Sequence, residues 1–89
     1  MNLDRDAIKA AVRGKLIELA RNLGTDASGI GDDDIIPATG YVDSAAILEL
    51  VVWFEDTYQI RLKQEEINID NLGSINLMAD LALKLKRVS

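Results

Sequence analysis

Apolar residues recur every three or four positions in three stretches of this chain, and this spacing constrains the fold more than any other sequence feature. The repeating positions of the first stretch are Ile8, Val12, Leu16, Leu19 and Leu23. Such a repeat places side chains on one face of an α-helix. Asp4 precedes the stretch and Gly24 follows it, as helix caps do. The pattern predicts a first helix from about residue 4 to residue 23.

The central stretch opens at Asp43 and Ser44 and continues to Tyr58. Asp43 is a good N-cap, so Ser44 is predicted to be the first helical residue. The positions expected to face the core are Ile47, Leu50, Val51, Phe54 and Tyr58. A second side carries both apolar and acidic residues: Ala45, Leu48, Glu49, Val52, Glu55 and Asp56. A helix apolar on two sides in so small a protein indicates that one side packs in the core and the other binds a partner.

The last stretch follows Gly73 and Ser74, which are expected to break the chain and cap a third long helix. Its predicted core positions are Ile75, Met78, Leu81, Ala82 and Leu85, and its end carries the cations Lys84, Lys86 and Arg87. Cations suit the negative end of a helix. Before it, residues 59–62 are expected to be extended, with Ile60 and Leu62 turned inward, and residues 64–72 to form one or two short helical turns. The sequence predicts an all-α bundle in a single domain, residues 1–89.

The connection from Thr25 to Val42 is long, rich in Gly, Asp and Ser, and holds the chain's single proline, Pro37. Long loops tend to be functional or packed by their own side chains. The residues expected to tuck beneath this loop are Ile30, Ile35, Ile36 and Val42.

The run Asp32-Asp33-Asp34 within this loop raises the question of a metal site. A calcium loop of the EF-hand type starting at Asp26 would place Ile30 at a ligand position and Pro37 where a bidentate Glu belongs, so that template fails. The run is interpreted as a solvated acidic loop, with weak binding of divalent ions left open.

Composition excludes several functions. The chain has no Cys and no His, which removes disulfides, thiol nucleophiles, Ser-His-Asp catalysis and imidazole-bound zinc. Its net charge is −5, and such a surface repels nucleic acids and anionic membranes but attracts basic protein surfaces. Residues 1–6 lack the pattern of a signal peptide, so a cytoplasmic protein is expected.

Asp43-Ser44, the apolar and acidic helix behind it and the later helix together resemble the acyl carrier proteins and the related peptidyl and aminoacyl carrier domains, over roughly residues 16–85. The resemblance implies a four-helix bundle of three longer helices and one short helix, with a long first loop. It also implies that Ser44 carries a 4′-phosphopantetheine arm, attached from coenzyme A by a phosphopantetheinyl transferase. The further partners implied are an acyl- or aminoacyl-loading ligase and downstream transferases, with the carrier itself a non-catalytic monomer.

Two residues depart from the pattern of this family. Ala45 replaces its usual leucine, and Ala46 stands where typical fatty-acid carriers have an acidic residue. Both changes remove contacts to partner enzymes, so they bear on the set of partners more than on the modification. The partner face predicted by the sequence comprises Ala45, Leu48, Glu49, Val52, Glu55 and Asp56.

Other functions and the cargo stay open at this point. The same apolar face would also suit an unmodified helical interaction module. An enzyme is disfavoured, because Glu49, Glu55, Glu65 and Asp80 show no readable pairing with a nucleophile. Trp53 either packs at the edge of the core or narrows an interior cavity, which would favour short acyl or aminoacyl cargo.

Overall fold

The computed structural model describes residues 4–87, with Arg87 described by its backbone alone, and this range is helical without a β-strand. The elements are α1 (Arg5–Asn22), α2 (Ile36–Thr39), α3 (Ser44–Tyr58), a 3₁₀ turn (Gln64–Glu66), α4 (Ile69–Leu72) and α5 (Ile75–Arg87). The predicted all-α bundle with three longer helices is confirmed. The predicted short helical segment is divided into the 3₁₀ turn and α4. The short α2 inside the long loop was not predicted.

Local capping explains where the long helices begin and end. Asp4 accepts a hydrogen bond from the Asp6 amide at 3.0 Å, and Ser74 Oγ accepts one from the Leu77 amide at 3.1 Å. Gly24 adopts a φ of 82°, the left-handed conformation that glycine tolerates after a helix end. The caps predicted from the sequence are therefore confirmed. Residues Met1 to Leu3 and the Arg87 side chain, which also entered the sequence predictions, lie outside the described part of the chain.

The core lies between the three long helices, where α1 packs against both α3 and α5, and α4 packs against α5. The largest side chains that are fully buried there are Phe54, Ile8, Leu16, Ile36, Leu50, Ile75, Met78 and Val12. Two predicted core residues are instead exposed. Leu23 lies beyond the last residue of α1 as its C-cap, and Ile35 is the N-cap of α2. Leu23 has thus left the helical repeat that would have turned it inward, and Ile35 does not tuck beneath the loop.

The acidic run is tied to the bundle by a group of residues that we call the loop clasp: Lys9, Arg13, Asp32, Asp33 and Asn76. Asp32 forms ion pairs with Arg13 and with Lys9 Nζ, the latter at 2.7 Å. Asn76 donates its backbone N–H to Asp32 O at 3.0 Å and its side-chain amide to Asp33 Oδ1 at 2.6 Å. The interpretation of the run as a solvated loop fits Asp33 and Asp34, which are exposed, whereas Asp32 is partly buried and is tied to α1 by its ion pairs. Within residues 4–87, no cluster of three potential metal ligands is found.

A second tie joins the long loop to the junction between α4 and α5. The Ile36 amide donates a hydrogen bond to Gly73 O at 2.8 Å. A Cβ atom on Gly73 would lie 2.3 Å from Ile69 O, so this junction requires glycine. α2, α4 and α5 consequently meet at one point. No helix in the described range is long and apolar enough to cross a membrane.

Candidate functional site

Ser44 is the first residue of α3 and is exposed. Asp43 Oδ1 accepts a hydrogen bond from the Ala46 amide at 2.9 Å, and the Ile47 amide donates to Asp43 O at 2.9 Å. The amides of Ser44 and Ala45 and the Ser44 hydroxyl form no hydrogen bond with any residue between 4 and 87. The sequence-predicted geometry is confirmed: Asp43 caps the helix, and the free hydroxyl of Ser44 stands at its start.

This position suits a negatively charged group. The first turn of a helix carries a partial positive charge, and unpaired backbone N–H groups there bind phosphate oxygens. The amides of Ser44 and Ala45 are two such groups, and Asp43 already satisfies that of Ala46. A phosphodiester on the Ser44 hydroxyl would therefore gain electrostatic stabilisation, at no cost in existing hydrogen bonds.

Three residues that sequence reasoning missed fix the approach of the chain to Ser44. The Thr25 hydroxyl donates to Tyr41 O at 2.6 Å and lies 3.0 Å from Ala20 O at the end of α1. The Tyr41 amide donates to Thr39 Oγ1 at 3.3 Å. These bonds connect α1, α2 and the residues just before α3. The bond from Thr25 to Tyr41 could not have been predicted from the sequence, because its two partners are 16 residues apart.

The predicted partner face lies mostly on the exposed side of α3. Leu48 and Val52 are 61% and 52% exposed, which is high for large apolar residues, and Ala45, Glu49 and Asp56 are exposed as well. Glu55 differs, since its Oε2 accepts a hydrogen bond from the Leu62 amide at 2.9 Å. Its carboxylate thus fixes the position of the segment that follows α3.

Ala46 is buried in the core cluster, whereas the sequence reading treated it as a missing acidic partner contact. The side chain is 7% exposed and packs where α3 meets the bundle. A carboxylate at this buried position would have to leave water. The small side chain of Ala46 is therefore explained by core packing rather than by the loss of a contact to a partner enzyme.

An apolar cavity of about 170 Å³ opens between α2, α3 and α4. On α3 it is lined by Ile47, Leu50 and Val51, which begin one turn after Ser44. Met78 of α5 and Leu72 of α4 also line it. The exposed residues Ile67 and Ile69 border the cavity as well.

The cavity offers no free polar side chain. Asn68 is the polar side chain that lines it, and both of its polar atoms are already bonded. Asn68 Oδ1 accepts from the Asn71 amide at 2.9 Å, and Asn68 Nδ2 donates to Glu65 O at 2.9 Å. The space can therefore take hydrocarbon but cannot satisfy a charged or strongly polar group.

Trp53 does not line this cavity, so the hypothesis that its indole narrows it is wrong. The ring is partly buried at the edge of the core and packs edge-on against Tyr58, with 6.2 Å between ring centroids. The argument for short or aminoacyl cargo that relied on Trp53 loses its basis.

Comparison with known families agrees with this geometry. The model of the phosphopantetheine attachment site family matches residues 16–82, which is most of the chain. No curated protein and no solved structure matched the sequence. The chain belongs to the family of phosphopantetheine-binding carrier domains. The protein is accordingly a non-catalytic carrier of a covalent 4′-phosphopantetheine, and it works with a phosphopantetheinyl transferase and with biosynthetic enzymes.

Proposed function

We propose that Ser44 is the residue that carries the 4′-phosphopantetheine arm and that the arm holds acyl groups, which α3 presents to partner enzymes. When attached, the arm supplies a terminal thiol that holds a carboxylic acid as a thioester. The observation that carries the proposal is the exposed, unbonded hydroxyl of Ser44 at the start of α3, one turn before an apolar cavity.

The other serines of the matched region and the threonines of the long loop fit this role less well. Ser74 also precedes a helix, but it is buried and its oxygen caps α5. Thr25 and Thr39 donate their hydroxyl protons to backbone carbonyls. Ser28 lies in the long loop, away from a helix start, where its amide bonds to Asp26. Ser44 combines exposure, a free hydroxyl and the favourable end of a long helix.

The chemistry of the cavity favours an apolar acyl group over an aminoacyl group. The ammonium of an aminoacyl thioester would leave water without gaining a carboxylate or a free acceptor from Asn68. Burial of an unpaired charge costs several kcal/mol even after relaxation. A hydrocarbon chain gains about 0.8 kcal/mol for each methylene that it buries. Aminoacyl cargo remains the alternative if the cargo stays outside the cavity.

The exposed side of α3 gives the carrier its contact surface. Leu48 and Val52 supply apolar area beside Ser44, with Ala45, Glu49 and Asp56 around them. This combination suits partners with a basic rim and an apolar centre, such as the transferase, a loading ligase and downstream transferases. Glu55 would contribute its charge, while its hydrogen bond to the Leu62 amide holds it in place.

The test is intact-mass measurement after incubation of the protein with coenzyme A and a broad-specificity phosphopantetheinyl transferase. We expect one phosphopantetheine mass to be added to the native chain and to Ser28→Ala, and none to Ser44→Ala. Addition to Ser44→Ala, or no addition to any of the three proteins, would refute the assignment.

An unmodified interaction module is the second candidate, favoured by the exposure of Leu48 and Val52. It differs in one measurable respect. A partner captured from the native host would then bind Ser44→Ala as tightly as the native chain, and the native protein would be isolated without the arm.

A further inference from the structure

We propose that Thr25 is a positioning residue for the modification of this protein. Its hydroxyl holds the segment that leads into α3, so that the hydroxyl of Ser44 is presented in one place to the phosphopantetheinyl transferase. The inference rests on the proposed attachment at Ser44. Thr25 follows the end of α1, and it acts through the intervening residues rather than on the reacting atoms.

The first turn of α3 depends on Asp43. Its Oδ1 accepts a hydrogen bond from the Ala46 amide at 2.9 Å, and its backbone O accepts one from the Ile47 amide at 2.9 Å. Ser44 lies between these bonded residues in the chain. If Asp43 moved away, both bonds would break and the turn that carries Ser44 would fray. The position of Ser44 is therefore only as well fixed as that of Asp43.

Tyr41 is the point at which the segment before Asp43 is tied to the rest of the protein. Its amide donates to Thr39 Oγ1 of α2 at 3.3 Å, and its backbone O accepts from the Thr25 hydroxyl at 2.6 Å. The bond from Thr25 is the shorter one. Val42 is buried at 7% exposure and keeps the segment against the core. The two bonds of Tyr41 then set the direction in which the backbone enters α3.

Thr25 can serve as an anchor because the end of α1 fixes it. Its amide donates to Ala20 O at 2.8 Å, and its hydroxyl oxygen lies 3.0 Å from the same carbonyl oxygen. Ala20 itself is fully buried. The Gly24 amide donates to Arg21 O at 3.0 Å, which closes the turn ahead of Thr25. The hydroxyl of Thr25 therefore links a rigid helix end to the segment that precedes Ser44.

The reaction at Ser44 is sensitive to such positioning. The oxygen of Ser44 has to lie in line with the phosphorus atom of coenzyme A that carries the pantetheine, and a misplacement of about 1 Å can lower a rate about 100-fold. A frayed first turn would present this oxygen correctly in a smaller fraction of complexes. The exposed side of α3 that binds the transferase would remain, so the loss should appear in kcat more than in KM.

The experiment measures kcat and KM for modification of the full chain by a broad-specificity phosphopantetheinyl transferase with coenzyme A. Thr25→Val keeps the shape of the side chain but removes its hydroxyl, and we expect kcat to fall at least about fivefold with KM within about twofold. Thr25→Ser keeps the hydroxyl and should restore kcat to within about twofold of the native value. In the unmodified protein, hydrogen exchange of the Ala46 and Ile47 amides should be faster in Thr25→Val but not in Thr25→Ser.

Ser74→Ala is the matched control, because it also removes a hydrogen bond between a hydroxyl and the backbone, at the start of α5. It should lower the thermal midpoint and leave kcat and the exchange of the Ala46 and Ile47 amides unchanged. If Thr25→Val proves unfolded by circular dichroism, Thr25→Ala replaces it, because alanine places no methyl group against the carbonyl of Tyr41.

A native value of kcat in Thr25→Val or its replacement would overturn the proposal. An equal loss of kcat in Ser74→Ala, or unchanged exchange of the two amides in Thr25→Val, would do the same. Intact mass separates this proposal from the assignment of Ser44. A native chain that gains no phosphopantetheine would contradict the assignment, whereas native modification that proceeds equally fast in Thr25→Val would contradict the role of Thr25 alone.

Discussion

Two adjacent residues, Asp43 and Ser44, have different roles at the start of α3. Asp43 uses its carboxylate to satisfy the Ala46 amide, while Ser44 keeps a hydroxyl that bonds to nothing within residues 4–87. If Ser44 were the cap instead, its oxygen would be occupied by the helix, as the oxygen of Ser74 is at α5. The order Asp-Ser thus leaves capping to Asp43 and a free hydroxyl to Ser44, the proposed attachment residue.

Replacement of the cap should weaken the fold without removing the modification site. We expect Asp43→Ala to lower the free energy of unfolding by about 1 kcal/mol, because a helix amide loses its partner. Asp43→Asn keeps a capping oxygen and should stay within a few tenths of a kcal/mol of the native value. Urea unfolding of the unmodified proteins measures both. Equal losses in the two variants would mean that the charge of Asp43 matters more than its hydrogen bond.

At the scale of elements, the three long helices were predictable because their causes are local. The repeat of apolar residues and the caps Asp4, Asp43 and Ser74 all lie within a few residues of what they determine. α2 was missed because it is a single turn in a loop, and its stability depends on the distant bond from Ile36 to Gly73 O. The loop clasp and the cavity were missed for the same reason, since packing of separate elements creates them. Of the candidate site, the cap Asp43 and the exposed position of Ser44 at the start of α3 could be predicted, but the apolar cavity beside them could not.

The loop clasp should make stability depend on pH in acid. The hydrogen bond from Lys9, together with that from Arg13, holds the pKa of Asp32 below its ordinary value of 3.8. Because the folded-state pKa is the lower one, the ionised clasp stabilises the protein at pH values above 3.8. This contribution is lost as the pH falls through the folded-state pKa.

We therefore expect Asp32→Asn to be less stable than the native protein at pH 7, with a difference that shrinks as the pH falls below 3.8. Urea unfolding at a series of pH values provides the measurement. Glu65→Gln is the control, because it is the backbone oxygen of Glu65 that accepts the hydrogen bond from Asn68. A difference for Asp32→Asn that stays constant down to pH 2 would exclude the ion pairs as its cause.

Across the whole molecule, charge is distributed unevenly. Four cations of α1 form ion pairs within the protein: Arg5 with Asp80, Lys9 and Arg13 with Asp32, and Lys15 with Glu18. Glu49 and Asp56 on α3 form no ion pair with the described residues. With a net charge of −5, the protein therefore presents unbalanced negative charge on the same side as its exposed apolar residues.

The negative electrostatic potential of this α3 surface should attract the phosphopantetheinyl transferase and speed its encounter with the carrier. We expect the initial rate of modification to fall several-fold as salt is raised from low concentration to about 1 M, where the screening length is about 3 Å. Glu49→Gln should lower the rate at low salt and flatten the salt dependence. Glu18→Gln removes the same charge from α1 and should do neither. If both variants behave alike, net charge rather than the α3 surface governs the encounter.

The aromatic packing at the edge of the core gives this protein a natural optical sensor. Trp53 is its single tryptophan, and its indole rests on Tyr58, which in turn supports Phe54. Any change that displaces Tyr58 would disturb this stack and change the fluorescence of one defined ring. Loosening of this edge of the core could then be followed in real time, with no dye attached to the protein.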